Sequence, residues 1–213
     1  MQMNTPELLF SGLRKQWLPL ILALCFAGCT AADAPSAQDV ATWRAEKDRY
    51  MRESPESPVP ANARATFPPL PYYAIDPAYQ IPASLAIAPG DAVLELPTST
   101  GLRRKMKKIG TLRFTLKGQP LTLSAFVDAS TNDVRRLFVP FGDLTNGSET
   151  YPGGRYLDLE RTATGIYDLD FNRAYHPFCV FNAAYDCPYP PRENRLAVPV
   201  RAGERLQSLI PNP

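Results

Sequence analysis

Proline is the feature of this sequence that most limits how the chain can fold. The chain contains 23 prolines among its 213 residues, roughly twice the usual proline share of about 5%. Inside a helix a proline removes a backbone hydrogen bond and clashes with the preceding turn, and in a sheet it is confined to edges, bulges and strand starts. We therefore expect short strands joined by irregular segments rather than long helices.

Short apolar segments bounded by turn residues predict β-strands in the second half of the chain. The clearest pair is Leu112–Leu116 and Leu121–Phe126, where apolar and polar residues alternate on both sides of the three-residue loop Lys117–Gln119. This pattern is typical of a β-hairpin. The predicted strands are Ala92–Leu96, Gly110–Leu116, Pro120–Val127, Arg136–Phe141, Arg155–Leu159, Gly165–Phe171 and Ala197–Val200.

Because no helical pattern separates these segments, the sequence predicts a mainly β fold. We expect an antiparallel barrel-like or sandwich domain with long proline-rich loops. One helix precedes it, since Ser36 is a suitable N-cap and Val40, Trp43 and Met51 recur at helical spacing. This amphipathic pattern favours packing on the domain over binding a partner. The predicted organisation is a helix over 36–53, a proline-rich wrap over 54–91 and a β core over 92–205, all within one domain spanning 36–213.

The first 28 residues predict export followed by lipid attachment. Two cations precede the apolar run Trp17–Phe26, which is shorter than the roughly 20 residues needed to cross a bilayer but suits a signal peptide. The small residues Ala27 and Gly28 stand directly before Cys29. This ending resembles the lipobox of bacterial lipoproteins, in which the cysteine thiol receives a diacylglycerol before cleavage. The resemblance implies a signal peptide over 1–28 and a tether over 29–35.

The lipobox resemblance also implies a location and a partner. A threonine, Thr30, follows the cysteine, and the sorting rule of such lipoproteins then implies the outer membrane, facing the periplasm. The membrane is the expected partner through lipidated Cys29, because each buried methylene of an acyl chain contributes about 0.8 kcal/mol. The alternative is an ordinary secretory signal followed by an unrelated cysteine.

The charge of the chain argues against nucleic acid as a partner, since the formal net charge is only +2. One basic run interrupts this balance, with five cations among the six residues of Arg103–Lys108. We favour a solvated loop or a protected edge strand for this run. The alternative is contact with anionic lipid headgroups or another polyanion.

Four polar motifs follow one another in the last third of the chain. They are Phe141–Gly147, Gly153–Leu157, Asp170–Tyr175 and Cys187–Leu196. In this order they resemble the bacterial family named domain of unknown function 1684, over roughly Trp43 to Glu204. The resemblance implies no activity, because none is assigned to that family.

These motifs supply the candidate binding residues. Asp, Asn and Gly in loops are usually turn formers, and we favour that interpretation for the motif around Asp143. In the functional interpretation, Arg155 pairs with a ligand carboxylate or phosphate inside a polar, tyrosine-lined cleft. The candidate ligand-binding residues are Asp143, Tyr151, Arg155, Tyr156, Asp170, Asn172 and Tyr175.

The sequence therefore predicts a non-enzymatic module that binds a small-molecule or anionic envelope ligand, or that has a structural role in the envelope. It contains no phosphate-binding glycine loop, nucleophile elbow or paired-histidine zinc motif, and no cofactor is predicted. The alternative is a hydrolase of an envelope glycan or ester, with Glu149 and Asp170 or His176 as catalytic residues. A third class is protein scaffolding through the proline-rich segment.

Two cysteines of the exported domain, Cys179 and Cys187, are predicted to form a disulfide, because oxidising compartments form and keep such bonds. The bond would contribute roughly 2–3 kcal/mol by restricting the unfolded chain. Two alternatives stay open: a metal site that adds His176, the single histidine of the chain, and a pair of reduced, buried thiols.

Overall fold

The structure, a computed structural model, describes residues 37–90, 92–131 and 135–206. The predicted signal peptide, Cys29 and the tether lie outside the described residues. A helix, α1 (Ala37–Glu53), precedes the sheet. The strands are β1 (Gln80–Ile87), β2 (Val93–Pro97), β3 (Arg103–Leu116), β4 (Gln119–Asp128), β5 (Arg136–Phe141), β6 (Arg155–Glu160) and β7 (Ile166–Asp170).

The strands form one antiparallel sheet that nearly closes into a barrel. The hydrogen-bonded order is β6-β5-β4-β3-β1-β7, and β2 pairs with the first half of β3. Side chains alternate between the two faces of each strand, so that Leu112 of β3, its register partner Leu123 of β4 and Leu157 of β6 point into a common core. The prediction of a mainly β, barrel-like domain with one N-terminal helix is confirmed.

The predicted β3–β4 hairpin is present, but its turn is one residue shorter than expected. Leu116 pairs with Gln119, so only Lys117 and Gly118 form the loop. Both residues have positive φ, +50° and +79° respectively. Two-residue hairpin loops favour this backbone because its twist matches that of the flanking strands.

Two other strand predictions were wrong. Strand β1 lies inside the segment predicted to be a proline-rich wrap, and it accommodates Pro82 where only β7 flanks it, since its pairing with β3 begins at Ser84. Conversely, residues Ala197–Val200 form no strand. Buried side chains take the place of a neighbouring strand there, because the carbonyl of Val200 accepts a hydrogen bond from the guanidinium of Arg155 at 2.6 Å.

The basic run Arg103–Lys108 forms the first half of β3 rather than a loop or an edge strand. It lies between β2 and the end of β4, with Lys105 opposite Glu95 and Met106 opposite Asp128. The pleat leaves Lys105 exposed and buries Met106. Arg103, Lys105 and Lys107 therefore lie on one face of a paired strand. Arg104 and Lys108 share the other face with the buried Met106 and are half-buried.

The segment after β7 and helix α1 cover part of the outer face of the barrel. On α1, Arg44 donates hydrogen bonds to the carbonyls of Tyr73 and Asn172, at 2.9 Å and 3.1 Å. The ammonium of Lys47 lies 2.5 Å from Oε1 of the buried Glu204. Within the described residues, no helix is both long enough and apolar enough to cross a membrane.

Candidate functional site

A cleft of about 400 Å³ lies between the outer face of the sheet and the loop that runs from Tyr175 to Pro188. We call it the aromatic cleft, because five aromatic side chains line it. Largely apolar cavities of this size with a few polar groups are typical of small-molecule sites. The aromatic lining residues are Phe138, Tyr156, Tyr175, Phe178 and Tyr185.

Strand alternation places two of these rings on the outer face of the sheet. Phe138 lies between Leu137 and Val139, whose side chains point into the barrel, and therefore points outward. Tyr156 does the same on β6, and the centroids of the two rings are 4.7 Å apart in an edge-to-face arrangement. The hydroxyl of Tyr156 donates a 2.6 Å hydrogen bond to the carbonyl of Pro188, which fixes the ring against the opposite wall.

The opposite wall comes from the loop and is supported by helix α1. Phe178 packs edge-to-face on Tyr185, with ring centroids 5.4 Å apart, and lies parallel to Tyr50 of α1 at 6.4 Å. Tyr175 donates from its hydroxyl to Asp158 at 2.8 Å. Its ring also lies 4.2 Å from the ammonium of Lys47. These contacts hold the loop rings in defined positions in front of the sheet.

Charged side chains lie at the rim of the aromatic cleft. Arg104 donates from one guanidinium nitrogen to the carbonyl of Asp186 at 2.7 Å, and the same nitrogen lies 3.4 Å from the carboxylate of that residue. The hydroxyl of Thr100 donates to the same carboxylate and, as the largest cause, lowers the pKa of Asp186. The hydrogen bond from the Ser130 hydroxyl lowers the pKa of Asp128 in the same way. The rim therefore carries one partly exposed cation between two ionised carboxylates.

The structure brings together only part of the predicted binding set. Tyr156 and Tyr175 line the aromatic cleft, and Tyr151 packs in the same cluster of rings and sulfurs. Asp143, Arg155, Asp170 and Asn172 do not line it. All four are buried elsewhere in the described part of the chain.

Arg155 and Asp143 form a fully buried ion pair, with 2.9 Å between Nη2 and Oδ2. Nη1 of Arg155 donates to the carbonyls of Ala202 and Glu204. Asp143 also accepts from the backbone N–H of Thr145 at 2.8 Å, as the turn interpretation expects. These contacts fix residues 197–206, which we call the C-terminal segment, against the end of the barrel.

Asp170 and Asn172 join the end of β7 to the start of β1. Asp170 accepts from the backbone N–H of Asn172 at 2.9 Å, and Asn172 exchanges two hydrogen bonds of 3.0 Å each with the backbone of Asp76. Burial raises the pKa of Asp170. Both side chains therefore form hydrogen bonds that connect segments of the protein to each other.

Comparison with known protein families identifies the family of this chain. A family profile described as "Protein of unknown function (DUF1684)" matches residues 65–205. The chain belongs to this family. The DUF1684 match contains strands β1 to β7, the aromatic cleft and most of the C-terminal segment. No curated protein matches the chain.

A similar solved structure shows the same fold. It is the solution NMR structure of an uncharacterized protein of Haloarcula marismortui, with 37% sequence identity and a TM-score of 0.64. The match covers 81% of this chain and 95% of the other. It therefore supports the architecture of the DUF1684 domain and carries no activity with it.

The hydrolase alternative finds little chemical support in this DUF1684 domain. Arg201 binds the Glu149 carboxylate through two nitrogens, Nε at 3.0 Å and Nη2 at 2.8 Å, and this hydrogen bonding is the largest cause of the lowered pKa of Glu149. A general acid needs the opposite shift. Burial lowers the pKa of His176 well below its ordinary value, and its Nε2 accepts from the backbone N–H of Tyr151 at 3.3 Å. Neither residue lines the aromatic cleft.

The two cysteines lie next to each other as free, buried thiols. The backbone N–H of Cys179 donates to the sulfur of Cys187 at 3.2 Å, and Cys187 lines the aromatic cleft. The disulfide stays a prediction. Residues 37–90, 92–131 and 135–206 contain no group of three or more His, Cys, Asp or Glu side chains that could hold a metal ion, so the metal alternative with His176 gains no support.

Sequence reasoning missed several residues of the site. Phe138, Phe178, Tyr185 and Arg104 line the cleft but belong to none of the polar motifs. One signal was available for Phe138, because the run Leu137-Phe138-Val139 is apolar on both faces of a strand and indicates cover on both sides. The buried Glu204, whose carboxylate accepts from the backbone N–H of His176 at 2.7 Å, gave no comparable signal.

Proposed function

We propose that this protein is a lipid-anchored envelope protein whose DUF1684 domain binds a small molecule, without turning it over, in the aromatic cleft. The observation that carries the binding role is a cavity of about 400 Å³ lined by five aromatic rings and a charged rim. The proposed ligand has a flat apolar body, which packs between Phe138 and Phe178, and a polar group that reaches Arg104.

Two properties of the cleft support binding over catalysis. Its aromatic walls offer apolar area and edge-to-face contacts worth about 0.5–1.5 kcal/mol per ring pair beyond simple burial. The acid–base candidates Glu149, Asp170 and His176 all lie outside it. Glu149 is paired with Arg201, His176 is held neutral by burial, and Asp170 accepts a hydrogen bond from the backbone of Asn172. The cleft thus supplies affinity and orientation, and the two carboxyl groups among its described lining residues, Asp128 and Asp186, have lowered pKa values that do not suit a general acid.

The binding proposal is tested with the fluorescent dye anilinonaphthalene sulfonate, which combines aromatic rings with an anion. We expect the dye to bind the native protein, and Tyr185→Ser to weaken this binding about tenfold, which corresponds to about 1.4 kcal/mol. Tyr73→Ser is the matched control, because Tyr73 is a half-buried tyrosine whose hydroxyl bonds to Glu149 away from the cleft. Equal affinities for the two variants would contradict the proposal.

The anchoring proposal rests on the sequence around Cys29 and needs its own test. We expect Cys29→Ala to move the protein from the membrane fraction to the soluble fraction, or to leave it unprocessed, because two or more acyl chains are what make attachment stable. Mass spectrometry of the wild-type protein should show the acyl mass on Cys29. Processed Cys29→Ala protein that remains in the membrane fraction would count against lipid anchoring.

A further inference from the structure

Two buried cysteines, Cys179 and Cys187, lie together beside the aromatic cleft. Cys179 lies in the short turn Phe178–Val180, and Cys187 lies at the end of the following loop. The two residues are only 5% and 7% exposed, and the 3.2 Å hydrogen bond from the backbone of Cys179 aims at the sulfur of Cys187. Cys187 also forms part of the surface of the cleft, so a small molecule in the cleft reaches the pair.

Each cysteine is held by a different part of the protein. The backbone N–H of Cys187 donates to the hydroxyl of Ser99 at 3.0 Å, and the N–H of Ser99 donates back to the carbonyl of Cys187 at 2.9 Å. Cys179 is held by its own turn, in which Val180 donates to the carbonyl of Pro177 at 3.0 Å. The sulfurs therefore stay in contact whether or not they are covalently joined.

Hydrogen bonds around the pair lower the pKa of one of its two thiols. A hydrogen bond from the Cys187 thiol, followed by those of Ser99 and Tyr151, lowers the pKa of Cys179 to about 6. The same hydrogen bond between the two sulfurs raises the pKa of Cys187. The first proton thus leaves readily and the second is retained, as expected for two coupled groups. The lowered pKa of Cys179 favours its thiolate, which is the nucleophilic form of sulfur.

We propose that Cys179 and Cys187 are a redox-active dithiol that exchanges with small disulfides entering through the aromatic cleft. The thiolate attacks one sulfur of a disulfide RSSR, its S–S bond breaks and RS⁻ leaves, which gives a mixed disulfide. The second cysteine then loses its proton and displaces the remaining RS⁻. The balance is one protein dithiol and one RSSR giving one protein disulfide and two RSH.

This role differs from that of a permanent structural disulfide, and it does not depend on the identity of the ligand of the cleft. A structural bond stays oxidised while the protein is folded, whereas an exchanging pair follows the redox state of its surroundings. The step also needs no metal or cofactor, since the small disulfide is the oxidant.

The test uses the native full-length protein in buffers of reduced and oxidised glutathione at varied ratios. Samples are quenched with acid, alkylated and digested with trypsin. Both cysteines fall in one tryptic peptide, Ala174–Arg192, because the sequence has no lysine or arginine between Arg173 and Arg192. We expect the peptide to shift reversibly between a doubly alkylated form and an unalkylated, disulfide-bonded form, while the circular dichroism spectrum of the protein stays unchanged.

Either of two other outcomes overturns the proposal. A peptide that stays oxidised in excess reduced glutathione until the protein unfolds identifies a structural disulfide. A peptide that stays alkylated at every ratio identifies inert buried thiols. A second measurement uses Cys187→Ser, which should accumulate a glutathione adduct on Cys179 because no second thiol resolves it. The double variant Cys179→Ser/Cys187→Ser is the matched control and should gain no mass in this peptide.

Discussion

Two arginines illustrate how differently two regions of this protein use charge. The guanidinium of Arg155 is fully buried and donates to Asp143 and to three backbone carbonyls. The side chain of Arg104 is 38% exposed and bonds to Asp186 through one nitrogen at the rim of the aromatic cleft. The motif that contains Arg155 seemed the better binding signal in the sequence, yet the partners of Arg155 are all internal.

The same contrast extends to the groups around each arginine. The buried polar cluster, which we define as Lys47, Asp143, Arg155, His176 and Glu204, is linked by ion pairs and hydrogen bonds. Removing one member of such a set leaves its partner charged and without compensation in a medium of low polarity. The aromatic cleft, in contrast, keeps exposed ring surface that an occupant can cover. The polar motifs of the sequence therefore contribute residues to the cluster that stabilises the fold, and outward-facing aromatic rings form the candidate site.

The largest expected effect separates the two arginines. We expect Arg155→Met to lower the free energy of unfolding by about 3–5 kcal/mol, because it leaves Asp143 buried and unpaired. Arg104→Met, as the matched control, should change it by less than about 0.5 kcal/mol. Urea unfolding followed by circular dichroism measures both. Similar losses for the two variants would break the comparison.

A pH dependence of stability tests the buried polar cluster next. Burial, helped by the nearby Arg155 and Lys47, holds the pKa of His176 well below its ordinary value of 6.5. The unfolded chain therefore binds a proton below pH 6.5 that the folded protein rejects, and stability falls as the pH falls. We expect this residue to account for about 1 kcal/mol of lost stability between pH 6.5 and 5.5.

The variant His176→Gln isolates this contribution, because a glutamine carbonyl can replace Nε2 as the acceptor for Tyr151 without titrating. Unfolding free energies at pH 6.5 and 5.5 should differ less for the variant than for the wild-type protein by that amount. An identical pH dependence in both proteins would show that folding leaves the pKa of His176 unchanged, which would contradict the prediction.

The smallest predicted effect concerns Tyr156, which belongs to both regions. Its hydroxyl bonds to Pro188 inside the protein, and its ring lines the aromatic cleft. We expect Tyr156→Phe to lower the free energy of unfolding by about 1 kcal/mol through the lost hydrogen bond, while dye affinity changes less than twofold because the ring remains. The control Tyr175→Phe loses a hydrogen bond to the exposed Asp158 and should have a smaller effect on stability. A large loss of dye binding in Tyr156→Phe would assign the hydroxyl to the ligand.

Local patterns in the sequence were sufficient to predict those strands in which one face packs in the core and the other face points outward. Alternation in β3 and β4 predicted their hairpin, because those strands have one core face and one outer face. Strand β1 was missed because it lies in the segment assigned to the proline-rich wrap, and only the one-sided pairing of its first part makes Pro82 acceptable. Residues Ala197–Val200 were wrongly predicted to form a strand for a related reason, since side chains rather than a neighbouring strand form hydrogen bonds with the backbone of Val200.

The candidate site was harder to predict because it depends on contacts distant in sequence. Tyr156 and Tyr175 were named together and both line the aromatic cleft, but a tyrosine-rich motif does not indicate which rings lie opposite. Phe138 becomes part of a site only because the loop that carries Phe178 and Tyr185 folds back over the outer face of the sheet. The functional interpretation assigned Arg155 to a ligand because a guanidinium suits a carboxylate or phosphate, whereas here the C-terminal segment buries it.

The contacts of the C-terminal segment have a consequence for biosynthesis. Arg155 needs the carbonyls of Val200, Ala202 and Glu204, and Lys47 of the first helix needs the Glu204 carboxylate. A ribosome delivers these residues after every strand of the barrel. Until they emerge, Arg155 has Asp143 but none of these three carbonyl acceptors, and Lys47 lacks its ionic partner, so the contacts at this end of the barrel form last. Such a delay fits the export that we propose, in which the polypeptide crosses a membrane before it folds.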